Sequence, residues 1–249
     1  MQLAVRGFLF DLDGTLLDTS GPIGRSWTRW AGEHEVTAAD FVRVGSHGRR
    51  SVDLVTALVS PERAATALAR IHALELADLD GIVAVRGAAQ LLRALPGAAW
   101  GIVTSGDRNL ATARLRASQL AFAVDRLLVT GDEVHAGKPD PAPYAAGAAA
   151  LGLEPADCLV VEDAPAGIVS GVAAGARTLA LTTTVTREEL TAADVVVADL
   201  TAVRVLSVAD GIVTVAVDGA PVVPVAVDGA PIVPVADPGP PPRVPGARP

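Results

Sequence analysis

Short, uninterrupted runs of apolar residues alternate with helical patterns along most of the chain. The runs lie at residues 7–10, 100–105, 126–130, 158–163, 178–182 and 194–200. Continuous apolar runs are typical of strands that are buried on both faces of a parallel sheet. Asp107 begins a helix that runs to about residue 119, and Asp140 with Pro141 begins another. This alternation predicts right-handed β–α–β units and an α/β fold with a doubly wound parallel sheet.

The segment 18–84 interrupts this alternation, because it carries helical signals and no convincing strand. The signals are SWTRWAGEH at 26–34, SVDLVTALV at 51–59 and a run that starts at Ser60-Pro61 and ends near Ala77. We therefore predict a helical domain, 18–84, inserted after the first strand. Residues 1–17 and 85–205 then form the core, and the chain returns to it through a hinge between Gly81 and Gly87.

The end of the chain has a different composition. VAVDGAPVVP at 215–224 is followed by VAVDGAPIVP at 225–234, and then by the proline-rich DPGPPPRVPGARP. So many prolines remove backbone donors and disfavour compact folding. For residues 206–249 we predict one strand around 211–217 and a low-complexity tail that contains the repeat.

Composition narrows the class of protein. Half of the 249 residues are hydrophobic but only 3% are aromatic, and the formal net charge is −8. An acidic chain argues against a nucleic-acid groove or an anionic membrane surface as partner. Cys158 is the only cysteine, which excludes an intrachain disulfide and favours a reducing compartment. With neither a signal peptide nor an apolar run of about 20 residues, we expect a cytoplasmic protein.

Two aspartates stand directly after the first apolar run, in FLFDLDGTLLDT at residues 8–19. Residues two apart in an extended chain point the same way, so Asp11 and Asp13 face one spot. Gly14 lets the backbone turn sharply or approach a ligand closely. Because a turn or a helix cap needs only one carboxylate, this pair indicates a site for something positive.

A second acidic pair, Glu162 and Asp163, ends the run 158–163. Ligands of open α/β sheets bind beyond the carboxyl ends of the strands. If this strand and 7–10 are neighbours, three or four carboxylates converge there, which is stable only with a cation. Hard oxygen ligands favour Mg²⁺. Helix capping ahead of Pro165 is the alternative for Asp163 alone.

Candidate anion-binding groups stand at two further strand ends. Thr104, Ser105 and Gly106 precede a helix, where hydroxyl and backbone N–H groups can bind an anion. Lys138 is the only lysine, whereas the other nineteen basic residues are arginines. It follows the run 126–130 and lies just before a helix. A compact ammonium can contact an acid and a phosphate oxygen together, whereas the planar guanidinium needs more room.

These four segments, in this order, resemble the motifs of the haloacid dehalogenase superfamily over residues 5 to about 200. The chain is similar to its sugar-phosphate phosphatase branch, which includes the glycerol-phosphate and 2-deoxyglucose-6-phosphate phosphatases. The resembling stretches are SHGRRSVD, VRGAAQLL, VTSG, GKPDPAPY and VVEDAPAGIVSGVAAGA. The resemblance implies a Rossmann-like core, an inserted α-helical cap domain and one Mg²⁺.

The resemblance also implies a role for each motif. Asp11 attacks phosphorus and forms an aspartyl-phosphate, while Asp13 protonates the leaving alcohol and then accepts a proton from water. Mg²⁺ is held by the Asp11 carboxylate, the Asp13 backbone carbonyl and Asp163, with Glu162 as a weaker ligand or a residue behind the ligands. The phosphoryl oxygens are held by Thr104, Ser105, Gly106 and Lys138.

Within the cap, the loop 45–53 supplies the candidate substrate contacts His47, Gly48, Arg49 and Arg50. His47 is equally consistent with a hydrogen bond at a helix start. We therefore expect Mg²⁺-dependent hydrolysis of a small phosphorylated metabolite, a sugar or polyol phosphate monoester, by a monomer or weak homodimer. A β-phosphoglucomutase-like isomerase shares every core motif and differs only in its cap, so that alternative stays open.

Overall fold

The computed structural model describes residues 1–218 and 220–221. Their strands are β1 (Gln2–Val5), β2 (Gly7–Phe10), β3 (Leu17–Asp18), β4 (Val83–Ala84), β5 (Trp100–Val103), β6 (Leu127–Val129), β7 (Cys158–Glu162), β8 (Arg177–Leu181), β9 (Val195–Val197), β10 (Val203–Ala209), β11 (Ile212–Val217) and β12 (Ala220–Pro221). The α-helices are α1 (Ser20–His34), α2 (Ala38–Val44), α3 (Ser51–Leu58), α4 (Pro61–Ala77), α5 (Ala88–Ala94), α6 (Arg108–Arg116), α7 (Ala142–Ala150) and α8 (Pro165–Ala173).

The main sheet has the order β12-β9-β8-β7-β2-β5-β6. Its strands are parallel except β12, which pairs antiparallel with β9. Successive residues of β2 enter different cores, because side chains alternate across a strand: Phe8 and Phe10 lie in one cluster and Leu9 in another. All six apolar runs are strands, so the predicted doubly wound α/β fold is confirmed.

The helices α1–α4 form the predicted cap, inserted between β3 and β4. These two short strands pair antiparallel, with Leu17 opposite Ala84, and close the neck of the insert. At two residues each, they are too short for a sequence pattern to reveal. The cap has its own apolar core around the fully buried Trp30, whose Nε1 donates to the carbonyl of Ala67 at 2.8 Å.

The helix α2 was not predicted from the apolar pattern, and none of its residues is buried. It begins with a reciprocal capping box. The Thr37 hydroxyl accepts from the backbone N–H of Asp40, whose carboxylate accepts from the backbone N–H of Thr37. Local hydrogen bonding rather than burial therefore defines its start.

A second, antiparallel sheet has the order β1-β11-β10. Residues 212–217 pair with both neighbours, in the place where the sequence predicts a C-terminal strand. Neither partner of this strand, β1 or β10, was predicted, although Leu3 and Val5 of β1 belong to the main core. The repeat beyond residue 221 and the proline-rich tail lie outside the described residues. Within the described part of the chain, every helix is too short or too polar to cross a bilayer.

The C-terminal sheet should contribute to stability through one face only. Val215 is fully buried, whereas Val208 on the neighbouring strand is 51% exposed. Val215→Ala should lower the free energy of unfolding by about 2 kcal/mol, because it removes two buried methyl groups and leaves a cavity. The same substitution at Val208 should change it by less than about 0.5 kcal/mol. Urea denaturation of both variants measures this difference, and equal losses would contradict the assigned burial.

Candidate active site

Three carboxylates meet at the carboxyl edge of the main sheet. Because β2 and β7 are direct neighbours, Asp11 follows one strand at the place where Glu162 and Asp163 end the other. All three side chains are buried, and one oxygen of each lies within 4.8 Å of the others. The structure thus brings together the acids of the first and last motifs, as the strand pattern predicts.

Lys138 lies among these acids, in the loop between β6 and α7. Its Nζ donates to Asp11 Oδ1 at 2.6 Å, to Glu162 Oε1 at 2.8 Å and to the carbonyl of Val103 at 3.1 Å. It is only 2% exposed. Burial alone would lower the pKa of Lys138, but the charges of Asp11 and Glu162 raise it, so the side chain stays an ammonium.

Glu162 has the role of a structural acceptor. Its Oε1 accepts from Lys138 and from the hydroxyl of Tyr144 at 2.8 Å, and its Oε2 accepts from the backbone N–H groups of Asp163 and Ala164. Four donors occupy this carboxylate, which leaves it poorly available to a metal. Glu162 was considered either as a weak metal ligand or as a residue that supports the ligands without contacting the metal. This geometry favours the second role, in which Glu162 holds Lys138 in place.

Asp163 is oriented by hydroxyl groups that sequence reasoning did not assign. Thr15 donates to Oδ1 at 2.9 Å, and Thr184 donates to Oδ2. Gly14 makes room for this carboxylate, since a Cβ there would lie 2.2 Å from Asp163 Oδ2, and its φ of +92° also favours glycine. Gly14 and Thr15, which follow the two aspartates in sequence, thus position Asp163 at the end of the neighbouring strand.

This donor set fits a magnesium ion. Asp11, Glu162 and Asp163 place three acids against the single ammonium of Lys138, which leaves an excess of buried negative charge. Burial raises the pKa of Asp11 well above its ordinary value, against the lowering effect of Lys138. A divalent cation beside Asp11 would restore the carboxylate form, and carboxylate oxygens are the ligands that Mg²⁺ prefers. Asp11 and Asp163 accept fewer hydrogen bonds than Glu162, and they are the side chains that would contact the ion.

The side chain of Asp13 faces a different partner from that of Asp11. Arg114 of α6 donates from Nη1 to Asp13 Oδ2 at 2.8 Å and from Nη2 to Glu75 Oε1 at 3.0 Å. Arg114 and Glu75 are 3% and 4% exposed. Burial raises the pKa of Glu75, and the Arg114 charge opposes this. A core helix and a cap helix thus meet at Asp13 through one guanidinium.

Sequence reasoning missed both of these residues, although each interrupts an apolar stripe. Arg114 lies on the buried face of α6, next to Leu115 and four residues after Leu110. Glu75 lies on the buried face of α4, four residues after Ile71. A charged residue at a core position of an amphipathic helix is the signal that would have found them.

The candidate anion-binding residues lie beside Asp11, at the end of β5. The hydroxyl of Thr104 accepts from the backbone N–H of Gly106 at 3.1 Å, which shapes the turn. Ser105 donates to the carbonyl of Gly48 in the cap at 2.8 Å. The structure thus brings Thr104, Ser105 and Gly106 together with Asp11 at one cavity, and in this arrangement Ser105 also joins the cap to the core.

The cap loop brings three of its four candidate residues to the same cavity. His47 Nε2 lies 3.3 Å from Asp163 Oδ2 and 3.0 Å from the hydroxyl of Thr184. The hydrogen bond to Asp163 raises the pKa of His47. The backbone of Gly48 approaches Ala164, where a Cβ on the glycine would lie 2.6 Å from the alanine Cβ.

The two arginines of this loop have different surroundings. Arg49 lines the cavity, and its Nε has no partner among the described residues. Arg50 instead contacts Asp53 through Nε and Nη2 and the carbonyls of Gly131 and Val134 through Nη1. The structure therefore does not bring Arg50 to the cavity, where the sequence suggests a substrate contact. It joins the cap to the core, because its donors are used by both.

A cavity of about 640 Å³ lies between the cap and the strand ends. Its floor is polar and includes Asp11, Asp13, Thr104 and Arg114. Its roof is largely apolar and comes from the cap, with Trp27 and Phe41 in edge-to-face contact. A small phosphate ester would fit with its phosphate group against the polar floor and its carbon skeleton against the cap.

Residues 5–175 match the protein family described as haloacid dehalogenase-like hydrolase. The chain belongs to this family. The match includes all of the acids and the lysine described above, as well as the cap.

The relatives are phosphatases by name. The chain is 37% identical to hexitol phosphatase A of Escherichia coli over 211 residues, 83% of this chain and 96% of that one. It is 33% identical to 2-deoxyglucose-6-phosphate phosphatase 2 of Saccharomyces cerevisiae over 228 residues, 82% and 92% of the two chains. Glycerol-1-phosphate phosphohydrolase 2 of the same yeast also matches. The predicted resemblance to the sugar-phosphate phosphatases of this family is confirmed.

A solved structure agrees with the fold of this family member. The crystal structure of a hydrolase from Pseudomonas syringae superposes with a TM-score of 0.69 at 27% identity. The superposition covers 78% of this chain and 93% of that one.

The buried ammonium of this hydrolase should be essential for its stability. Lys138→Met leaves Asp11 and Glu162 buried without their cation, which should cost about 3–5 kcal/mol of unfolding free energy. As a control, Arg108→Met breaks an ion pair whose side chains are 42% and 41% exposed, and should cost less than about 1 kcal/mol. Urea denaturation in the presence of a chelator provides the measurement. Similar small losses for both variants would contradict a charged, buried Lys138.

Proposed function

We propose that the protein is a Mg²⁺-dependent phosphatase that hydrolyses small sugar or polyol phosphate monoesters through an aspartyl-phosphate on Asp11. The observation that carries the proposal is the buried Asp11, in contact with Lys138 and beside an excess of acids, at the floor of a cavity covered by the cap. Membership of the hydrolase family and its phosphatase relatives assign the chain to the phosphoric monoester hydrolases. The cytoplasmic location and the monomeric or weakly dimeric state stay predictions of the sequence.

In the first step, a carboxylate oxygen of Asp11 attacks phosphorus. An Asp11 O–P bond forms while the bond between phosphorus and the alcohol oxygen breaks, and Asp13 gives its proton to the leaving oxygen. The Lys138 hydrogen bond uses Asp11 Oδ1, so Oδ2 is the oxygen available for attack. The products of this step are the free alcohol and the phosphorylated Asp11.

In the second step, water attacks the same phosphorus and gives a proton to the Asp13 carboxylate. The Asp11 O–P bond breaks, which releases phosphate and restores the Asp11 carboxylate. Asp13 thereby regains the proton that it gave up in the first step, so the enzyme returns to its starting state. One residue can serve as acid and then as base because the alcohol leaves from the side on which water enters.

The residues that would hold Mg²⁺ are the carboxylates of Asp11 and Asp163 and the backbone carbonyl of Asp13. When bound, the ion supplies positive charge that reduces the repulsion between Asp11 and an anionic phosphate. Glu162 would not contact the ion, because its oxygens already accept four hydrogen bonds; it holds Lys138 in place instead.

The groups that would bind the phosphoryl oxygens are the Lys138 ammonium, the hydroxyls of Thr104 and Ser105 and the backbone N–H of Gly106. Lys138, Ser105 and Gly106 already donate to protein acceptors, so phosphate would replace some of these acceptors when it binds. Charge moves onto these oxygens in the transition state, so fixed donors stabilise it more than the ground state. The burial of Lys138 strengthens this effect, since the interaction takes place in a region of low dielectric.

The cap selects the alcohol and keeps bulk solvent away from the site, while a single water molecule enters for the second step. The relatives of the protein act, by name, on hexitol phosphates, 2-deoxyglucose 6-phosphate and glycerol 1-phosphate. The cavity of about 640 Å³ accommodates molecules of this size. Arg49, with its unpartnered Nε, is the cap residue placed to hydrogen bond with such a substrate.

Removal of divalent cations should abolish the activity. With EDTA, release of phosphate from 4-nitrophenyl phosphate should stop, and excess Mg²⁺ should restore it. Mg²⁺ should also raise the midpoint of thermal unfolding, since a ligand at 100 times its Kd stabilises by about 2.7 kcal/mol. Asp163→Asn should lose this shift, whereas Asp157→Asn, at the opposite end of β7, should keep it. Unchanged turnover in chelator would refute the metal requirement.

Asp11→Asn is the direct test of the proposed nucleophile. The amide retains the shape of the side chain but cannot form the acyl phosphate, so phosphate release from every ester should fall below detection. Asp210→Asn, an exposed change in the turn between β10 and β11, is the matched control and should retain full activity. If the Asp11 variant hydrolyses esters at a rate close to that of the unmodified protein, the proposed mechanism must be abandoned.

The isomerase alternative can be tested with the same protein. β-Glucose 1-phosphate is incubated beside hexitol, 2-deoxyglucose and glycerol phosphates, and both free phosphate and isomerised sugar phosphate are measured. A phosphatase releases phosphate and forms no isomer. Formation of glucose 6-phosphate without phosphate release would favour the isomerase.

A further inference from the structure

The charge network around Arg114 connects the proposed acid–base residue to the cap. One nitrogen of the Arg114 guanidinium contacts Asp13 at 2.8 Å and the other contacts Glu75 at 3.0 Å. Asp13 belongs to the loop after β2, Arg114 to α6 of the core and Glu75 to α4 of the cap. Two separately folded parts of the molecule therefore share one buried cation.

The network holds Asp13 by one oxygen only. Oδ2 accepts from Arg114, whereas Oδ1 is buried and has no partner among the described residues. A carboxylate that is anchored at one oxygen presents the other in a defined direction. A proton donor needs such a defined direction, because the transfer requires hydrogen-bond geometry with the leaving oxygen.

Glu75 completes the anchor because it fixes the guanidinium. The Arg114 side chain is long and loses much rotamer freedom when both ends are held. With Glu75 bound to one nitrogen, the other points at Asp13. If the cap moved away from the core, Glu75 would move with α4 and Arg114 would lose its second contact.

We propose that Glu75 is a positioning residue, which acts through Arg114 to orient Asp13 for proton transfer only while the cap covers the site. This inference rests on the proposed function, in which Asp13 is the acid and base. It couples cap closure to chemistry, so that proton transfer to the leaving alcohol takes place only when the site is shielded from bulk solvent. Glu75 itself touches neither the phosphate nor the leaving oxygen in this scheme.

A direct substrate contact by Glu75 is the competing explanation. Its Oε2 is buried, has no partner among the described residues, and belongs to a residue that lines the cavity. A hydroxyl of the substrate could donate to it. The two roles differ in what they affect, because a positioning residue changes proton transfer whereas a binding residue changes the affinity for polyols.

The dependence on the leaving group distinguishes these roles. Glu75→Gln keeps the shape of the side chain and removes its charge. For glycerol 1-phosphate, whose leaving alkoxide needs a proton, the Glu75→Gln variant should have a kcat/KM lower by roughly 10- to 100-fold. This loss is a part of the roughly 10²–10⁴-fold acceleration that a positioned general acid supplies. For 4-nitrophenyl phosphate, whose phenolate leaves without a proton, kcat/KM should fall less than about threefold.

A double-mutant cycle shows whether Glu75 acts through Asp13. In an Asp13→Asn background, Glu75→Gln should cause no further loss with the alkyl ester, since residues that act in one chain are not additive. Arg114→Lys, which keeps the charge but loses the two-pronged geometry, should reproduce the leaving-group asymmetry of Glu75→Gln. It also provides the comparison if Glu75→Gln does not fold.

The matched control is Arg70→Gln, also on α4. Its ion pair with Glu33 stays within the cap, and both side chains are 35% exposed. It should leave the ratio of kcat/KM for the two esters unchanged. The inference is overturned if Glu75→Gln and Arg114→Lys lower both esters equally, or if Glu75→Gln raises only the KM for glycerol 1-phosphate. A failure of the proposed function would be recognised separately, because the Asp11→Asn variant would then still hydrolyse the esters.

Discussion

The repulsion between buried carboxylates at the carboxyl edge of the sheet is the constraint on which this structure depends. Asp11, Glu162 and Asp163 lie within one cluster, where the Lys138 ammonium contacts Asp11 and Glu162 and the His47 imidazole lies 3.3 Å from Asp163. Such an arrangement is costly without further positive charge. The same excess of negative charge is the basis of the proposed divalent-cation site, because a cation bound there would offset it. Lys138 in turn depends on Glu162, which Tyr144 and two backbone N–H groups hold in place.

The cap is joined to this site by polar contacts as well as by packing. Arg50 contacts backbone carbonyls of the core, Ser105 contacts the carbonyl of Gly48, and Arg114 contacts Glu75. Each contact joins a cap residue to a loop or helix at the carboxyl edge. The neck formed by β3 and β4 has only two residues in each strand, so these contacts add to it in holding the cap over the strand ends.

The comparison of pattern with structure is most informative where the two differ. Continuous apolar runs identified all six parallel strands, because burial on both faces leaves no alternative composition. The strands β1, β3, β4 and β10 were missed, because none of them lies within one of the continuous apolar runs that marked the buried parallel strands, and β10 is largely exposed. Arg50 and Arg49 are adjacent in sequence and equally plausible as substrate contacts, yet one contacts the core and the other lines the cavity. Nothing in their local sequence separates them.

The sequence by itself determined the fold class, the helical insert and the chemistry of the strand ends, because apolar periodicity and residue type are local properties. It singled out Asp11, Asp13 and Asp163 by their positions after buried strands, and Lys138 as the only lysine of the chain, just before a helix. Only the tertiary structure decided which oxygens are occupied, that Thr15 and Thr184 orient Asp163, and that Arg114 joins Asp13 to Glu75. These contacts join residues far apart in the chain, and their geometry follows from how the cap and the helices pack against the sheet.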